Sequence, residues 1–202
     1  LKPGNILVSG GGHPKIIDFG VARNTDSDMA LSTMQTNVGQ LIGTLQYMSP
    51  EQCAADSSDI DARSDVYALG VILFELLTGQ MPYDVSGSAV HEAIRMVCEV
   101  DPARISSINK SLKGDIETIA LKAMEKDRDR RYQSAVELRR DIQHFLDNEP
   151  IEARPTSAWY RIRKFVGRNK TLVASSIIIC SNWIKVICIR NSTAKINTIT
   201  SI

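Results

Sequence analysis

Cysteine, histidine and aromatic residues are sparse in this chain, and each scarcity removes a class of function. The four cysteines, Cys53, Cys98, Cys180 and Cys188, never fall into C-x-x-C spacing. They suggest neither a zinc module nor a disulfide-stapled scaffold, and read as free thiols in a reducing compartment. The histidines, His13, His91 and His144, fall in a turn and on two separate helical stretches, which gives no metal-ligand pattern. There is no internal repeat, and no G-x-G-x-x-G precedes a strand-like run. Neither sign of charge dominates: the formal net charge is +1 over 202 residues, with 43% hydrophobic and 23% charged residues, ordinary values for a globular protein. The balance hides an asymmetry. Residues 1–150 are acidic, whereas residues 154–170 carry Arg154, Arg161, Arg163, Lys164, Arg168 and Lys170 and no acid. Such a block marks a surface that meets phosphate, on lipid headgroups or nucleic acid.

The remaining pattern is mostly helical. Ile6-Leu7-Val8 and Lys15-Ile16-Ile17 read as two short strands joined by the Gly-rich loop Ser9-Gly10-Gly11-Gly12-His13-Pro14. Residues 21–46 are polar and aperiodic, and a loop of that length inside a domain points to function. From Arg63 onward, Val66, Leu69, Gly70, Leu73 and Leu77 recur at helical spacing, and Gly79 ends the run as a C-cap residue. Val71, Ile72 and Phe74 make this helix apolar on most sides, so it should lie deep in the core. Further helices are expected over 87–98, 115–125 and 134–147, the last with Ser134 and Glu137 at capping-box spacing and closed by Asn148-Glu149-Pro150.

Two short motifs carry chemistry. Leu1-Lys2-Pro3-Gly4-Asn5 is followed by the hairpin and then by Asp18-Phe19-Gly20. Transfer of a phosphoryl group from ATP needs a divalent metal held by hard oxygen ligands. Asn5 and Asp18, at the ends of neighbouring strands, supply such ligands. Lys2 can neutralise charge on the transferring group, and Gly20 lets the chain turn away after the ligand.

Taken together, these motifs resemble the Hanks-type (eukaryotic-like) Ser/Thr protein kinases. Residues 1–7, LKPGNIL, look like the second half of the family's catalytic loop H-R-D-L-K-P-x-N. Residues 43–51, GTLQYMSPE, resemble the end of the activation loop at the A-P-E motif. Arg63-Ser64-Asp65-Val66-Tyr67-Ala68-Leu69-Gly70 is similar to the start of the long central helix, and Arg131 falls where the family has an Arg that pairs with the A-P-E glutamate. The resemblance implies a mainly α fold over residues 1–149: a C-terminal kinase lobe with a short β-hairpin around its catalytic and metal-binding loops, lacking the N-lobe. It implies that Asn5 and Asp18 bind Mg²⁺, that Lys2 contacts the ATP γ-phosphate and the substrate hydroxyl, and that Lys2 with Thr44 marks Ser/Thr specificity. Gly20 and Asp65 are then structural, Asp65 holding the catalytic loop backbone, and Glu51 forms a buried ion pair with Arg131. Thr33 and Thr36, beside the substrate segment, are the expected autophosphorylation sites among the loop hydroxyls. The family's catalytic Asp would immediately precede Leu1, with the Gly-rich loop, strand Lys and helix Glu further upstream. The chain is therefore expected to be a fragment of a longer product, inactive alone, with apolar surface exposed where the other lobe docks.

Residues 145–155 and 160–170 resemble the bacterial receptor-like kinases, in which a basic juxtamembrane segment leads into a membrane helix. On that reading residues 150–170 are the basic linker, 171–189 a transmembrane helix and 190–202 a disordered tail. The apolar stretch is near the roughly 20 residues a helical crossing needs, although Asn182 and Lys185 weaken it. Basic residues before an apolar segment place the kinase lobe in the cytoplasm, tethered to the inner face of the plasma membrane. Nucleic-acid binding lacks support, because the basic stretch has no aromatic interleaving beyond Trp159 and Tyr160. The functional expectation is a Ser/Thr kinase acting on a protein substrate with ATP and Mg²⁺. The alternative is a non-catalytic pseudokinase or protein-interaction module, against which the retention of Lys2, Asn5, Asp18 and Thr44 argues.

Overall fold

The computed structural model describes residues 1–17, 43–54, 60–85, 87–154 and 157–169. Asp18, Gly20, Thr33, Thr36 and the apolar stretch 171–189 lie outside the described residues. The chain divides into two compact units, Leu1–Phe145 with Ile151–Arg154, and Leu146–Pro150 with Pro155–Ile202.

The first unit begins with a hairpin, β1 (Ile6–Val8) paired antiparallel with β2 (Pro14–Ile16) in the register Ile6 to Ile16, Leu7 to Lys15 and Val8 to Pro14. Its turn closes through Gly12, whose positive φ of 77° suits a residue without a Cβ. Leu7, Val8, Ile16 and Ile17 are all exposed. The rest of the unit is helical: α1 (Pro50–Cys53), α2 (Ala62–Thr78), α3 (Val90–Glu99), α4 (Ile105–Ile108), α5 (Asp115–Ala123) and α6 (Ala135–Leu146).

The central helix α2 starts where Asp61 accepts the Arg63 N–H and stops at Gly79, whose left-handed conformation returns its N–H to the Glu75 carbonyl. Its fully buried positions include Val66, Tyr67, Gly70, Val71 and Phe74, whereas Leu69, Leu73 and Leu77 are only half buried. The deep stripe is thus offset by about one residue from the leucine repeat, because Gly70 and the aromatic rings of Tyr67 and Phe74 face the densest packing. Tyr67, Val71 and Phe74 join Leu45, Val85, Val97, Ile105, Ala120 and Met124 in one apolar core.

Helix α5 crosses α2 at Gly70, where a Cβ would stand 2.8 Å from the Ala123 Cβ and 2.9 Å from the Met124 Cγ. Glu117 in the first turn of α5 accepts the Ser106 N–H of α4 at 2.7 Å, tying the two helices together. Helix α6 begins with half a capping box. The Ser134 hydroxyl accepts the Glu137 N–H at 3.3 Å, but the Glu137 carboxylate takes the N–H of Gln133, one residue earlier than that motif prescribes.

After α6 the chain turns at Asn148, which has a φ of 56°, and Asp141 holds the segment that follows. This carboxylate, only 1% exposed, accepts from the Tyr132 hydroxyl at 2.8 Å, from Glu152 N–H at 2.6 Å and from Ala153 N–H at 2.8 Å. Ile151 is completely buried alongside it.

In the second unit, α7 (Ala158–Arg168) occupies most of the basic linker. Ser157 caps it by accepting the Tyr160 N–H at 3.2 Å, and Arg168 pairs with Glu149 at 2.5 Å. Among the described residues no helix is long and apolar enough to cross a membrane.

The α2–α5 contact tolerates no side chain at position 70. Gly70→Ala should destabilise the chain by about 1–3 kcal/mol through overpacking, a fall of roughly 2–10 °C in Tm for a protein of this size. Adding Ala123→Gly should restore part of the loss in thermal unfolding. A Gly70→Ala protein as stable as the parent would show that the helices do not meet there.

Candidate functional site

The amino-terminal motif builds its geometry from backbone constraints. Pro3, with φ fixed by its ring, opens a single 3-10 turn over Pro3–Asn5, closed by the Asn5 N–H donating to Lys2 O at 3.0 Å. The Asn5 carbonyl in turn accepts the Ile17 N–H at 3.0 Å. That bond draws the end of the hairpin back beside Asn5, and Ile17 is followed directly in sequence by Asp18. An amide oxygen and a carboxylate are the hard donors that Mg²⁺ prefers, so the donor chemistry of the pair fits this ion.

Lys2 extends the other way. Its Nζ donates to the Thr44 Oγ1 at 3.5 Å, a long contact that joins two segments 42 residues apart. Asp65, exposed on the first turn of α2, lies with Oδ1 3.9 Å from the backbone nitrogen of Leu1.

Thr44 belongs to a segment fixed at four points further along. Leu45 enters the core. Tyr47 donates its hydroxyl to Glu75 Oε2 at 2.8 Å, and burial together with that carboxylate pushes the phenol up to about 12. Ser49, fully buried, caps α1 in a capping box in which its N–H donates to Gln52 Oε1 at 3.1 Å.

The fourth anchor is Glu51. Arg131 donates to its two oxygens at 2.8 and 2.7 Å, a bidentate pair with the guanidinium completely buried. The remaining guanidinium protons reach the carbonyls of Glu125 at 2.7 Å, Arg63 at 3.0 Å and Lys126 at 3.2 Å. Every N–H of the fork is thereby satisfied. The Ser64 hydroxyl adds a bond to Glu51 at 2.7 Å. Burial by itself would raise the Glu51 pKa, but the bonds from Arg131 and Ser64 outweigh it and hold the carboxyl at about 2, against 4.5 when free.

Behind this pair sits a polar cluster without a motif to announce it. Lys126 donates to the Tyr83 hydroxyl at 2.6 Å and to the Val97 carbonyl at 2.5 Å. Burial lowers its pKa to about 8. Tyr67 donates to Tyr83 at 3.2 Å, and the Arg131 guanidinium stands 5.2 Å from the centre of the Tyr67 ring. Cys98 lies against the Pro50 carbonyl at 3.7 Å, and burial pushes the Cys53 thiol up to about 12, which makes it a packing residue rather than a nucleophile. Tyr67 was legible only as part of the Arg63–Gly70 motif at the start of α2. Lys126 was not, because a charged residue just past a helix end ordinarily reads as solvated surface.

Removing one partner of the Glu51–Arg131 pair should be costly. Arg131→Met leaves a buried carboxylate and should destabilise the chain by about 3–5 kcal/mol in urea unfolding, while the double variant Glu51→Leu/Arg131→Met should recover much of that. Since the folded Glu51 pKa lies below the unfolded one, its contribution is complete above about pH 4.5 and lost as pH falls towards about 2. Glu51→Gln should flatten stability in that window. An unchanged acid limb would exclude the carboxylate as its source.

Serine/threonine-protein kinase PknB of Mycobacterium leprae is 42% identical over 153 residues, covering 76% of this chain and 23% of that protein. PknB of Mycobacterium tuberculosis H37Rv is 43% identical over 153 residues with the same coverage. PknB of Mycolicibacterium smegmatis is 42% identical over 142 residues, 70% of this chain and 22% of that protein. The chain thus spans less than a quarter of the length of these relatives. The family profile of the protein kinase domain matches residues 1–145, the stretch that holds the Lys2–Thr44 contact, Asn5 and the Glu51–Arg131 pair, and the chain therefore belongs to the protein kinase domain family, in its bacterial Hanks-type branch.

Proposed function

We propose that this chain is the substrate-facing lobe of a Ser/Thr protein kinase that transfers the γ-phosphoryl group of ATP to protein hydroxyls. The observation that carries the reading is the contact of Lys2 with Thr44. It sets an ammonium beside a hydroxyl residue at the end of the segment that would receive the substrate. Lys2 would hold negative charge on the transferring group and orient the accepting hydroxyl. Thr44 fixes where the Lys2 ammonium points, and the anchors at Tyr47, Ser49 and Glu51 keep Thr44 from drifting. Asn5 and Asp18 would hold Mg²⁺, which supplies charge neutralisation on the phosphates. Asp65, at the start of α2, would hold the backbone ahead of Lys2.

The exposed apolar side chains of the hairpin, Leu7, Val8, Ile16 and Ile17, suit a surface covered by the nucleotide-binding half of a kinase. The 202 residues contain no Gly-rich phosphate loop, so the reading assigns phosphoryl transfer to a protein in which this lobe is joined to that half, and expects none from the chain alone. The catalytic base and the protein substrate both belong to that larger assembly. Autophosphorylation at Thr33 or Thr36 would order the substrate segment by adding charge that Arg side chains can pair. The basic residues 154–170 followed by the apolar stretch 171–189 favour attachment to the cytoplasmic face of a membrane.

In the joined protein, Asp18→Asn should abolish Mg-ATP-dependent autophosphorylation, measured as radiolabelled phosphate incorporation. Lys2→Met should lower kcat by about 10²–10³-fold, the range seen when one charge-stabilising donor is removed, while Thr44→Val should lower it less. Unchanged incorporation in the Asp18→Asn protein would remove Asp18 from the metal site. For attachment, the full chain should stay with membranes through alkaline carbonate extraction, and complete release would reject the span at 171–189.

A further inference from the structure

Helix α7 exposes a large apolar stripe that no described residue of its own unit covers. Trp159 is 75% exposed, Ile162 52%, Phe165 53% and Val166 39%. These residues recur at three- and four-residue intervals and so share one side of the helix. Arg161, Lys164 and Arg168 recur on the opposite side, and Arg163 flanks the stripe next to Trp159. No acidic residue falls within the helix or anywhere in residues 154–170. Arg168 is drawn to Glu149 at 2.5 Å, and the Lys164 ammonium stands 5.9 Å from the centre of the Tyr160 ring.

We propose that α7 is an interfacial membrane helix, lying in the headgroup region of an anionic bilayer with Trp159, Ile162, Phe165 and Val166 turned towards the acyl chains. Charge decides the occupant. A water-exposed stripe rimmed by cations alone matches a surface that is apolar below and negative at its rim, which an anionic leaflet provides. Trp159 and Tyr160 add amphipathic rings of the kind enriched at that depth. A second copy of the same helix is a poor partner, because two faces with the same cationic rim repel. The helix is also only 11 residues long, about 16 Å, too short to cross a bilayer and too short to bury a stable dimer seam. The assignment extends the membrane attachment proposed for this chain without depending on the apolar stretch 171–189, since the surface seeker is α7 itself.

The test uses the full chain carrying Trp183→Phe, which leaves Trp159 as the reporter. Vesicles of phosphatidylcholine alone are compared with vesicles containing a quarter phosphatidylglycerol. Expected with the anionic vesicles are a blue shift of Trp159 emission, quenching by lipids brominated near the headgroup, and reversal of the shift by high salt. The neutral vesicles should give little of either. Arg161→Gln/Arg163→Gln/Lys164→Gln should lower the interfacial fraction of Trp159 by about a hundredfold, at roughly fivefold for each basic residue near the surface. Ile162→Ser/Phe165→Ser should abolish the shift while the charge is kept.

Resistance to alkaline carbonate reports the 171–189 stretch instead, and these substitutions should leave it unchanged, so the two attachments fail separately. An unshifted Trp159 on anionic vesicles would overturn the proposal. So would an equal shift on neutral vesicles, or a shift that follows protein concentration without lipid and so marks protein association.

Discussion

The fork of Arg131 is the constraint on which the rest of the lobe depends. A guanidinium cannot shed its charge on burial, so a completely buried one is stable only if every N–H finds an acceptor. Here the acceptors come from separate parts of the chain: the carboxylate of Glu51 on α1, the carbonyl of Arg63 in the first turn of α2, and the carbonyls of Glu125 and Lys126 just beyond α5. A displacement of any one of these leaves a desolvated donor behind. The residue thus fixes three elements at once, and no apolar contact of similar size would impose comparable directionality.

What that constraint positions is the segment from Thr44 to Glu51. Its far end is bound to the helical frame through Glu51, its middle by the capping box at Ser49 and by Tyr47 on Glu75, and its near end meets Lys2. The strength of the contacts grades in the same direction. The ion pair at Glu51 is short, bidentate and dry, whereas the Lys2–Thr44 contact is long and half exposed. The core of α2 supports both, because Tyr67 packs under the guanidinium while Gly70 lets α5 approach closely enough to bring its end to Arg131.

Much of this was legible in the residues, and the rest failed for identifiable reasons. The long α2, its Gly79 stop, the hairpin and the helices beginning near 115 and 135 follow from periodicity and capping chemistry, which are local. Glu51 and Arg131 were picked out by motif order 80 residues apart, and their side chains stand 2.7 Å from each other. The depth of α2 followed from its being apolar on most sides, and Val66, Gly70, Val71, Ile72 and Phe74 are buried, but leucine spacing alone does not say which side meets the densest neighbour. Lys126 and Asp141 gave no signal, because a buried charge is recognisable only once its acceptors or donors are placed by the fold. Helix α7 was hidden inside a stretch read as linker: Pro155 and the density of like charge argue against regular structure, and its apolar spacing becomes evident only when the helix is drawn. Asp18, Gly20, Thr33 and Thr36 lie outside the described residues and stand on the sequence alone.

The carboxylate of Asp141 has a mechanical consequence. It holds the amide groups of Glu152 and Ala153 at 2.6 and 2.8 Å, next to the fully buried Ile151. Tension carried along the backbone from beyond Arg154 reaches these bonds before it reaches the turn at Asn148 or the end of α6. Both bonds bear the load together, so they act as a strain relief, like the clamp that holds a cable at its socket.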